Sequence, residues 1–150
     1  MVRIATFNCR SIKSSITDVR TLCENVDICL LQEHWLYNDD LTLLSTIHND
    51  FHAFGVSAMD CNRDIISGRP YGGTAILWRK SYSEFVSVKT YGDPRIIGVE
   101  LSTEVGPCLI LCVYLPTDCS DHFDDFCEYL GKIDCIIQDA KTPYVLSQVI

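Results

Sequence analysis

The chain has 150 residues, of which 47% are hydrophobic and 21% charged, and its formal net charge is −8. This composition predicts one globular domain, because a disordered chain has too few apolar residues and a collagen-like chain has far more glycine. The longest apolar run, Leu109–Leu115, is too short for a membrane span, which needs roughly 18 residues or more. The negative charge argues against a tight, non-specific nucleic-acid binder, but it is compatible with an enzyme that holds a divalent cation through carboxylates.

Nine cysteines are expected to be buried free thiols rather than a disulfide framework or a zinc site. Their number is odd, no Cys-x-x-Cys occurs, and Cys29, Cys108 and Cys112 lie inside apolar runs. The opening residues also lack the basic, apolar and small-residue order of a signal peptide. We therefore expect an intracellular protein, nuclear or cytoplasmic, that makes no membrane contact.

The N-terminal part of the sequence has the pattern of a β-α-β unit. Apolar and polar residues alternate from Val2 to Asn8, which predicts a strand. Ser15 then precedes apolar residues at helical spacing, and Asp27 opens the short apolar run Ile28–Leu31, which is typical of a strand buried on both faces. Such units have parallel strands, so both strands should end at the same edge of the sheet.

The rest of the chain predicts mainly strands, with one helix near the end. Leu41, Leu44 and Ile47 indicate a short helix, and a longer one is predicted from Phe123. The predicted strands are Phe51–Ala58, Thr74–Arg79, Phe85–Lys89, Arg95–Leu101, Leu109–Tyr114 and Tyr144–Ile150. A run of strands between two helical units indicates mixed α/β layers.

Two polar residues follow the strands of the β-α-β unit at the point where each strand ends. Asn8 closes the first strand and Glu33 follows the second. Ligands of open α/β sheets bind outside the carboxyl ends of the strands, and a carboxylate beside a carboxamide suits Mg²⁺. The alternative is that Asn8 makes a turn and Glu33 is solvated. Tyr114, at a later strand end, would either donate to a phosphate oxygen or cover the core with its hydroxyl in water.

Five segments of the chain, taken together, carry a family resemblance. They are IATFNCRS from Ile4, DICLLQEHWL from Asp27, YGGTAILW from Tyr71, RIIGVEL from Arg95 and VYLPT from Val113. In this order and approximate spacing they resemble the endonuclease/exonuclease/phosphatase family, and within it the apurinic/apyrimidinic endonuclease-like domains of LINE-type retrotransposons. The resemblance covers nearly the whole chain.

The resemblance implies a fold, a reaction and a set of site residues. The fold would be a four-layer α/β sandwich with two mixed sheets face to face, and the reaction Mg²⁺-dependent hydrolysis of DNA phosphodiesters, with Mn²⁺ as the alternative metal. Glu33 would bind the metal, Asn8 would lie beside it, and Tyr114 would contact the scissile phosphate. We also predict substrate contacts at Arg10, Tyr71 and Arg95, against the plainer readings of a turn at Tyr71 and a solvated loop cation at Arg10.

The resemblance also leads us to expect an incomplete domain over residues 1–150, corresponding to the N-terminal part of the family fold. The family motif Gly-Asp-x-Asn and the terminal Ser-Asp-His have no counterpart at the expected places. The second sheet would then be mostly absent, Ile110 and Val113 would face water, and catalysis would be lost. A Ser-Asp-His triplet does occur at Ser120, but there it is expected to cap a helix away from the strand ends.

Two other functions remain open from the sequence. One is a non-catalytic fragment that acts as a binding module or has no function. The other keeps the phosphoester chemistry but acts on a phosphoinositide or another phosphate ester, because the matching residues would serve every substrate of the family.

Overall fold

Two four-stranded sheets organise the computed structural model, which describes residues 1–59, 71–116 and 121–149. The first sheet has the order β1-β2-β4-β3, from β1 (Ile4–Asn8), β2 (Ile28–Gln32), β3 (Phe51–Val56) and β4 (Thr74–Arg79). The second follows chain order, from β5 (Val86–Asp93), β6 (Ile96–Thr103), β7 (Gly106–Val113) and β8 (Tyr144–Val149). Both sheets are mixed, because β1 runs parallel to β2 and β7 parallel to β8 while the other pairs are antiparallel.

Helices cover the outer faces of the two sheets. The first sheet carries α1 (Ile12–Asn25) and a 3₁₀ helix over Asn38–Thr46, and the second carries α2 (Phe123–Asp139). A further 3₁₀ helix, Lys80–Phe85, leads from β4 into β5. Three apolar clusters lie between these layers: one under α1, one between the sheets and one under α2. The predicted four-layer α/β sandwich is therefore confirmed.

The residues of β2 show why the sheets stack in this way. Ile28 and Leu30 enter the cluster between the sheets, whereas Cys29 and Leu31 enter the cluster under α1. Side chains of a strand alternate between its two faces, so an uninterrupted apolar strand needs a cover on both sides. The all-apolar run predicted from the sequence is fully buried in the structure.

The expectation that the second sheet would be mostly absent is wrong. Ile110 and Val113 were expected to face water, but both are completely buried. Ile110 packs in the cluster between the sheets, and Val113 packs in the cluster under α2. The sheet has four strands, and α2 covers its outer face.

Element boundaries differ from the predicted ones mostly where no apolar pattern marks them. The first helix begins at Ile12 rather than after Ser15, and the Ser15 hydroxyl donates to the Ser11 carbonyl (3.0 Å) inside the first turn. The short helix predicted around Leu44 is a 3₁₀ helix. Strand β5 continues beyond Lys89 to Asp93 through a register shift after Thr90. Ile150, the predicted end of the last strand, lies outside the described residues.

The expectation of buried free thiols holds for only some of the described cysteines. All seven in the described ranges are free thiols, but only Cys9, Cys23, Cys29 and Cys112 are buried, whereas Cys108 is half-buried and Cys127 and Cys135 are exposed on α2. Burial raises the pKa of the Cys9 and Cys112 thiols to about 12, so both are protonated at neutral pH. In the part of the chain that the structure describes, no helix is long and apolar enough to cross a bilayer.

Candidate active site at the mouth between the sheets

The carboxyl ends of β1 and β2 meet at one edge of the first sheet. Asn8 and Gln32 are the last paired residues of the two strands. Parallel-type pairing continues past them, since the Cys9 N–H donates to the Gln32 carbonyl (2.8 Å) and the Ser11 N–H to the Glu33 carbonyl (2.9 Å). The predicted convergence of Asn8 and Glu33 follows from this parallel register.

Asn8 reaches the space between the sheets through ordinary strand alternation. Ile4 packs in the cluster between the sheets, and Thr6 bonds to Gln32, whose amide donates to the Cys112 sulfur on the facing sheet (3.3 Å). Asn8 is the next residue on the same face of β1. It therefore stands where the gap between the sheets opens.

Glu33 reaches the same place because its backbone leaves the strand conformation. Its φ of 54° is in the left-handed region, which costs a non-glycine residue free energy, and Trp35 has a φ of 56°. The carboxylate accepts a hydrogen bond from Asn8 Nδ2 on Oε1 (2.8 Å) and one from Trp35 Nε1 on Oε2 (3.2 Å). Two neutral donors thus fix the Glu33 carboxylate without neutralising its charge.

A buried histidine holds this turn in place. His34 is completely buried, its Nδ1 accepts the Leu36 N–H (3.0 Å), and its Nε2 lies 3.0 Å from the Val56 carbonyl. Burial lowers the pKa of His34, so the ring is neutral and Nε2 carries the proton that it donates to Val56. Gly73, at φ 84°, lies so close that an added Cβ would overlap the His34 ring. The Glu33 turn is therefore tied to the ends of β3 and β4.

Tyr114 approaches from the facing sheet. It follows β7 on the same side as Ile110 and Cys112, which face the first sheet. Burial, then the hydrogen bond to Glu33 and the charge of that carboxylate, raise the pKa of Tyr114, against the opposing effect of Arg95 and Arg10. The phenol is therefore protonated at neutral pH and acts as a hydrogen-bond donor.

Two of the predicted substrate contacts, Arg95 and Arg10, lie beside Tyr114. Arg95 Nη1 donates to the Tyr114 carbonyl (3.2 Å), and its guanidinium carbon lies 5.1 Å from the centre of the Tyr114 ring. Arg10 is exposed, and its backbone N–H donates to Asn8 Oδ1 (3.2 Å). Both are close enough to Tyr114 to lower the pKa of its phenol.

Tyr71 lies on the same edge of the first sheet but is more loosely placed. Its side chain is 60% exposed. The carbonyl of the next residue, Gly72, accepts the Trp35 N–H (3.0 Å), which brings this segment to the Glu33 turn. Contact between Tyr71 and a substrate stays a prediction.

An open cleft of about 460 Å³ extends from Tyr114 along α2. Arg95, His122, Tyr129 and Lys132 are among the residues that line it. His122 of the Ser-Asp-His triplet directly precedes α2, as expected for a triplet at a helix start, but its side chain makes no capping hydrogen bond. It lines the cleft together with Tyr114, whereas Asn8 and Glu33 are not among the lining residues. The His122 Nδ1 is 3.6 Å from Asp125 Oδ2, one turn further along the helix, while Ser120 lies outside the described residues.

The donor set at Glu33 fits a weakly held Mg²⁺ ion. A carboxylate has about four lone-pair positions, and the hydrogen bonds from Asn8 and Trp35 occupy two of them. Magnesium is typically bound through one or two protein carboxylates and keeps several waters or substrate oxygens. Within the described ranges, no group of three or more His, Cys, Asp or Glu side chains is placed to hold a metal. Glu33 is the carboxylate that would bind such an ion.

Reasoning from the sequence missed the residues that support this site. Trp35 and His34 follow Glu33 directly, but no pattern in the sequence shows that one donates to the carboxylate and the other is buried. Asp93 and Tyr129 lie on either side of Arg95 in the structure. Asp93 is close to Arg95 along the chain, but Tyr129 is far from both in sequence. A tyrosine at a core-facing helix position, such as Tyr129, is common, so the sequence alone does not predict its contact with Arg95.

Comparison with solved structures finds the same fold in DNA-processing enzymes. A variant of the 3′ phosphatase NExo from Neisseria, bound to a product DNA hairpin, superposes with a TM-score of 0.69 at 17% identity, over 99% of this chain and 57% of that one. An AP endonuclease from Archaeoglobus fulgidus gives 0.62 at 23% identity, over 92% and 51%. The endonuclease domain of TRAS1, a telomere-specific non-LTR retrotransposon, gives 0.60 at 14% identity, over 99% and 58%.

The chain thus spans a little more than half the length of these structural neighbours. No curated protein matches it. The sequence profile of the Endonuclease/Exonuclease/phosphatase family matches residues 5–146, which include Asn8, Glu33 and Tyr114. The chain therefore belongs to the Endonuclease/Exonuclease/phosphatase family.

Proposed function

We propose that this chain supplies the Mg²⁺- and phosphate-binding part of a DNA phosphodiesterase site of the endonuclease type. The observation that carries the proposal is the Glu33 carboxylate, which is fixed by Asn8 at 2.8 Å and by Trp35 at 3.2 Å and faces Tyr114. Family membership and the DNA-processing activities named for its structural neighbours support this choice of substrate.

Each residue has a role that follows from its chemistry. Glu33 would bind Mg²⁺ or Mn²⁺, which when bound stabilises negative charge on a phosphoryl oxygen. Asn8 and Trp35 position the carboxylate, and the protonated Tyr114 phenol donates to a phosphate oxygen. Arg95 and Arg10 bring positive charge to the same place, where it offsets the charge of the incoming phosphate.

Among the residues that the structure describes, we identify no general base for water activation in this arrangement. His122 lies along the cleft, but it pairs loosely with Asp125, and the histidine at the centre of the site, His34, is buried and neutral. General base catalysis typically contributes about 10²- to 10⁴-fold to a rate. We therefore expect the 150-residue chain to bind DNA weakly and to cleave it no faster than buffer.

The site residues should show their role in DNA binding before any cleavage occurs. The slope of log K against log salt concentration becomes steeper by about 0.9 for each phosphate that the protein neutralises. Loss of one phosphate contact should therefore make the slope shallower by about 0.9. In fluorescence anisotropy with a labelled duplex in Mg²⁺, Arg95→Met and Arg10→Met should each weaken binding and reduce the salt slope by about one. Lys80→Met is the matched control, since Lys80 is an exposed cation at the other end of β4.

Three outcomes would contradict the proposal. An unchanged salt slope in both arginine variants would show that these cations do not bind phosphate. Displacement of the duplex by an equal concentration of an inositol phosphate would favour a small phosphate ester as substrate. Plasmid nicking by the parent chain that disappears in His122→Ala would show that His122 is a working base.

The location of the protein remains a proposal as well. The free thiols of the described cysteines support an intracellular compartment, nuclear or cytoplasmic, because such compartments keep thiols reduced.

A further inference from the structure

The guanidinium of Arg95 is held without a carboxylate partner among the described residues. Asp93 is the nearest acidic residue along the chain and would be the obvious ion-pair partner for the Arg95 side chain. Instead, Asp93 Oδ1 accepts the backbone N–H of Arg95 (2.9 Å) and the Tyr129 hydroxyl (3.3 Å), and Oδ2 lies 3.4 Å from Lys132 Nζ. The Asp93 carboxylate therefore bonds to other groups, and the positive charge of the Arg95 side chain has no carboxylate partner among the described residues.

Two tyrosine rings confine Arg95 in place of an anion. Its guanidinium carbon lies 5.1 Å from the centre of the Tyr114 ring and 5.7 Å from the centre of the Tyr129 ring. Arginine commonly stacks on aromatic rings at such distances. A ring contacts the face of the guanidinium and leaves its N–H edges available, whereas a carboxylate would use those same N–H groups.

Tyr129 is itself fixed by the network on α2. Its hydroxyl donates to Asp93, and Lys132, which bonds to Asp93 and lies 3.0 Å from Glu128, stands 4.5 Å from the centre of the Tyr129 ring. The ring therefore has one preferred place between the second sheet and its covering helix. A free arginine side chain has many rotamers and loses conformational entropy when a ligand fixes it. If the side chain is already ordered in the free protein, the entropic cost of binding is smaller.

We propose that Tyr129 is a positioning residue that holds the Arg95 guanidinium on the Tyr114 ring. One N–H of Nη1 donates to the Tyr114 carbonyl (3.2 Å), and the other guanidinium N–H groups have no side-chain acceptor among the described residues and are available to an anionic phosphate oxygen. The choice of a phosphate as ligand rests on the proposed function. The contacts of Tyr129 with Arg95 are a property of the free protein. Asp93 supports this arrangement, because it accepts hydrogen bonds from both the Tyr129 hydroxyl and the Arg95 backbone N–H.

The test reads Arg95 and Tyr114 directly by NMR of the isotope-labelled chain at neutral pH. Aromatic rings shift the signals of a group stacked on them, so the Arg95 side-chain signals should be displaced in the parent. Tyr129→Leu should remove most of this displacement and move the Tyr114 ring signals. Tyr129→Phe keeps the ring and should retain the Arg95 displacement, which is the rescue that a positioning role requires.

Phe126→Leu is the matched control, because Phe126 packs on the same face of α2 in the same apolar cluster. It should leave the Arg95 and Tyr114 signals in place even if the protein becomes less stable. Equal changes in Phe126→Leu and Tyr129→Leu, or an unchanged Arg95 displacement in Tyr129→Leu, would overturn the proposal.

The reverse variant keeps the test decisive if Tyr129→Leu does not fold. Arg95→Met should move the ring signals of both Tyr114 and Tyr129, and adding Tyr129→Phe to it should change Tyr114 no further. Unmoved Tyr129 signals in Arg95→Met would contradict the contact. These measurements need no DNA, so a failure of the proposed function would appear only in the anisotropy experiment.

Discussion

Asp27 and Glu33 flank the same strand, β2, but the protein treats their carboxylates in opposite ways. Asp27, before the strand, accepts the Arg3 backbone N–H (2.8 Å) and pairs with the side chains of Arg3 (3.5 Å) and Arg79 (3.3 Å). Glu33, after the strand, accepts neutral donors, and no lysine or arginine of the described residues lies within ion-pair distance of it.

The difference separates a carboxylate that joins two elements of the fold from one that has no ion pair among the described residues. Arg79, which pairs with Asp27, also donates to the Cys23 and Val26 carbonyls at the end of α1 (2.8 Å each), so this pair joins the helix to the sheet. At Glu33 the carboxylate lies in a turn with left-handed backbone and forms no ion pair with the lysines and arginines of the described residues. The proposed binding of a divalent cation at Glu33 would use this unpaired charge.

The largest effect on stability should come from the Asp27 end. Asp27→Asn preserves the shape but leaves two arginines with a neutral partner, and we expect a loss of about 2–3 kcal/mol in the free energy of unfolding. Asp40→Asn is the control, because the Asp40–Lys13 pair is exposed and such pairs are worth about 0–1 kcal/mol. Urea denaturation of the three proteins measures both values, and equal losses would remove the distinction.

The pH dependence of stability should follow the same carboxylate. Burial raises the pKa of Asp27, but the hydrogen bonds and charge of Arg3 and the hydrogen bond of Arg79 outweigh it, so the folded-state pKa lies below its ordinary value. Its contribution is therefore present above the unfolded-state pKa, roughly 3.9, and is lost as the pH falls through the lower folded-state value. Melts between pH 7 and pH 3 should show a steeper decline for the parent than for Asp27→Asn. Parallel declines would contradict this assignment.

The smallest effect should come from the other end of the strand. Glu33→Gln removes a charge that has no cationic partner among the described residues. Its single amide oxygen can accept from Asn8 or from Trp35 but not from both, because those two groups donate to different oxygens of Glu33. We expect a change within about 1 kcal/mol of the parent, of either sign, in the same urea experiment. A loss as large as that of Asp27→Asn would mean that Glu33 is chiefly a structural residue.

The two ends of β2 also differ in how much of their structure the sequence could reveal. Parallel strands of a β-α-β unit bring Asn8 and Glu33 together whatever the side chains, so this part of the site was predictable from pattern alone. The left-handed turn at Glu33 depends on buried His34 and on Gly73, which lies far along the chain. The contact of Tyr129 with Arg95 depends on how α2 packs, and the mistaken exposure of Ile110 and Val113 came from the same missing long-range information.

We predict that a divalent cation binds at the Glu33 end of β2 and not at the Asp27 end. The two tryptophans of the chain report on these ends separately. Trp35 Nε1 donates to Glu33, whereas Trp78 pairs with Ile28, beside Asp27. Paramagnetic Mn²⁺ broadens NMR signals of nearby groups, so it can be titrated against the two indole N–H signals.

In that titration the Trp35 signal should broaden at Mn²⁺ concentrations that leave Trp78 sharp, with weak affinity because one carboxylate holds the ion. Glu33→Gln should abolish the selective broadening, and Asp27→Asn should retain it under conditions where it is folded. Equal broadening of both tryptophans, or selective broadening that persists in Glu33→Gln, would contradict the assignment of Glu33 as the metal ligand.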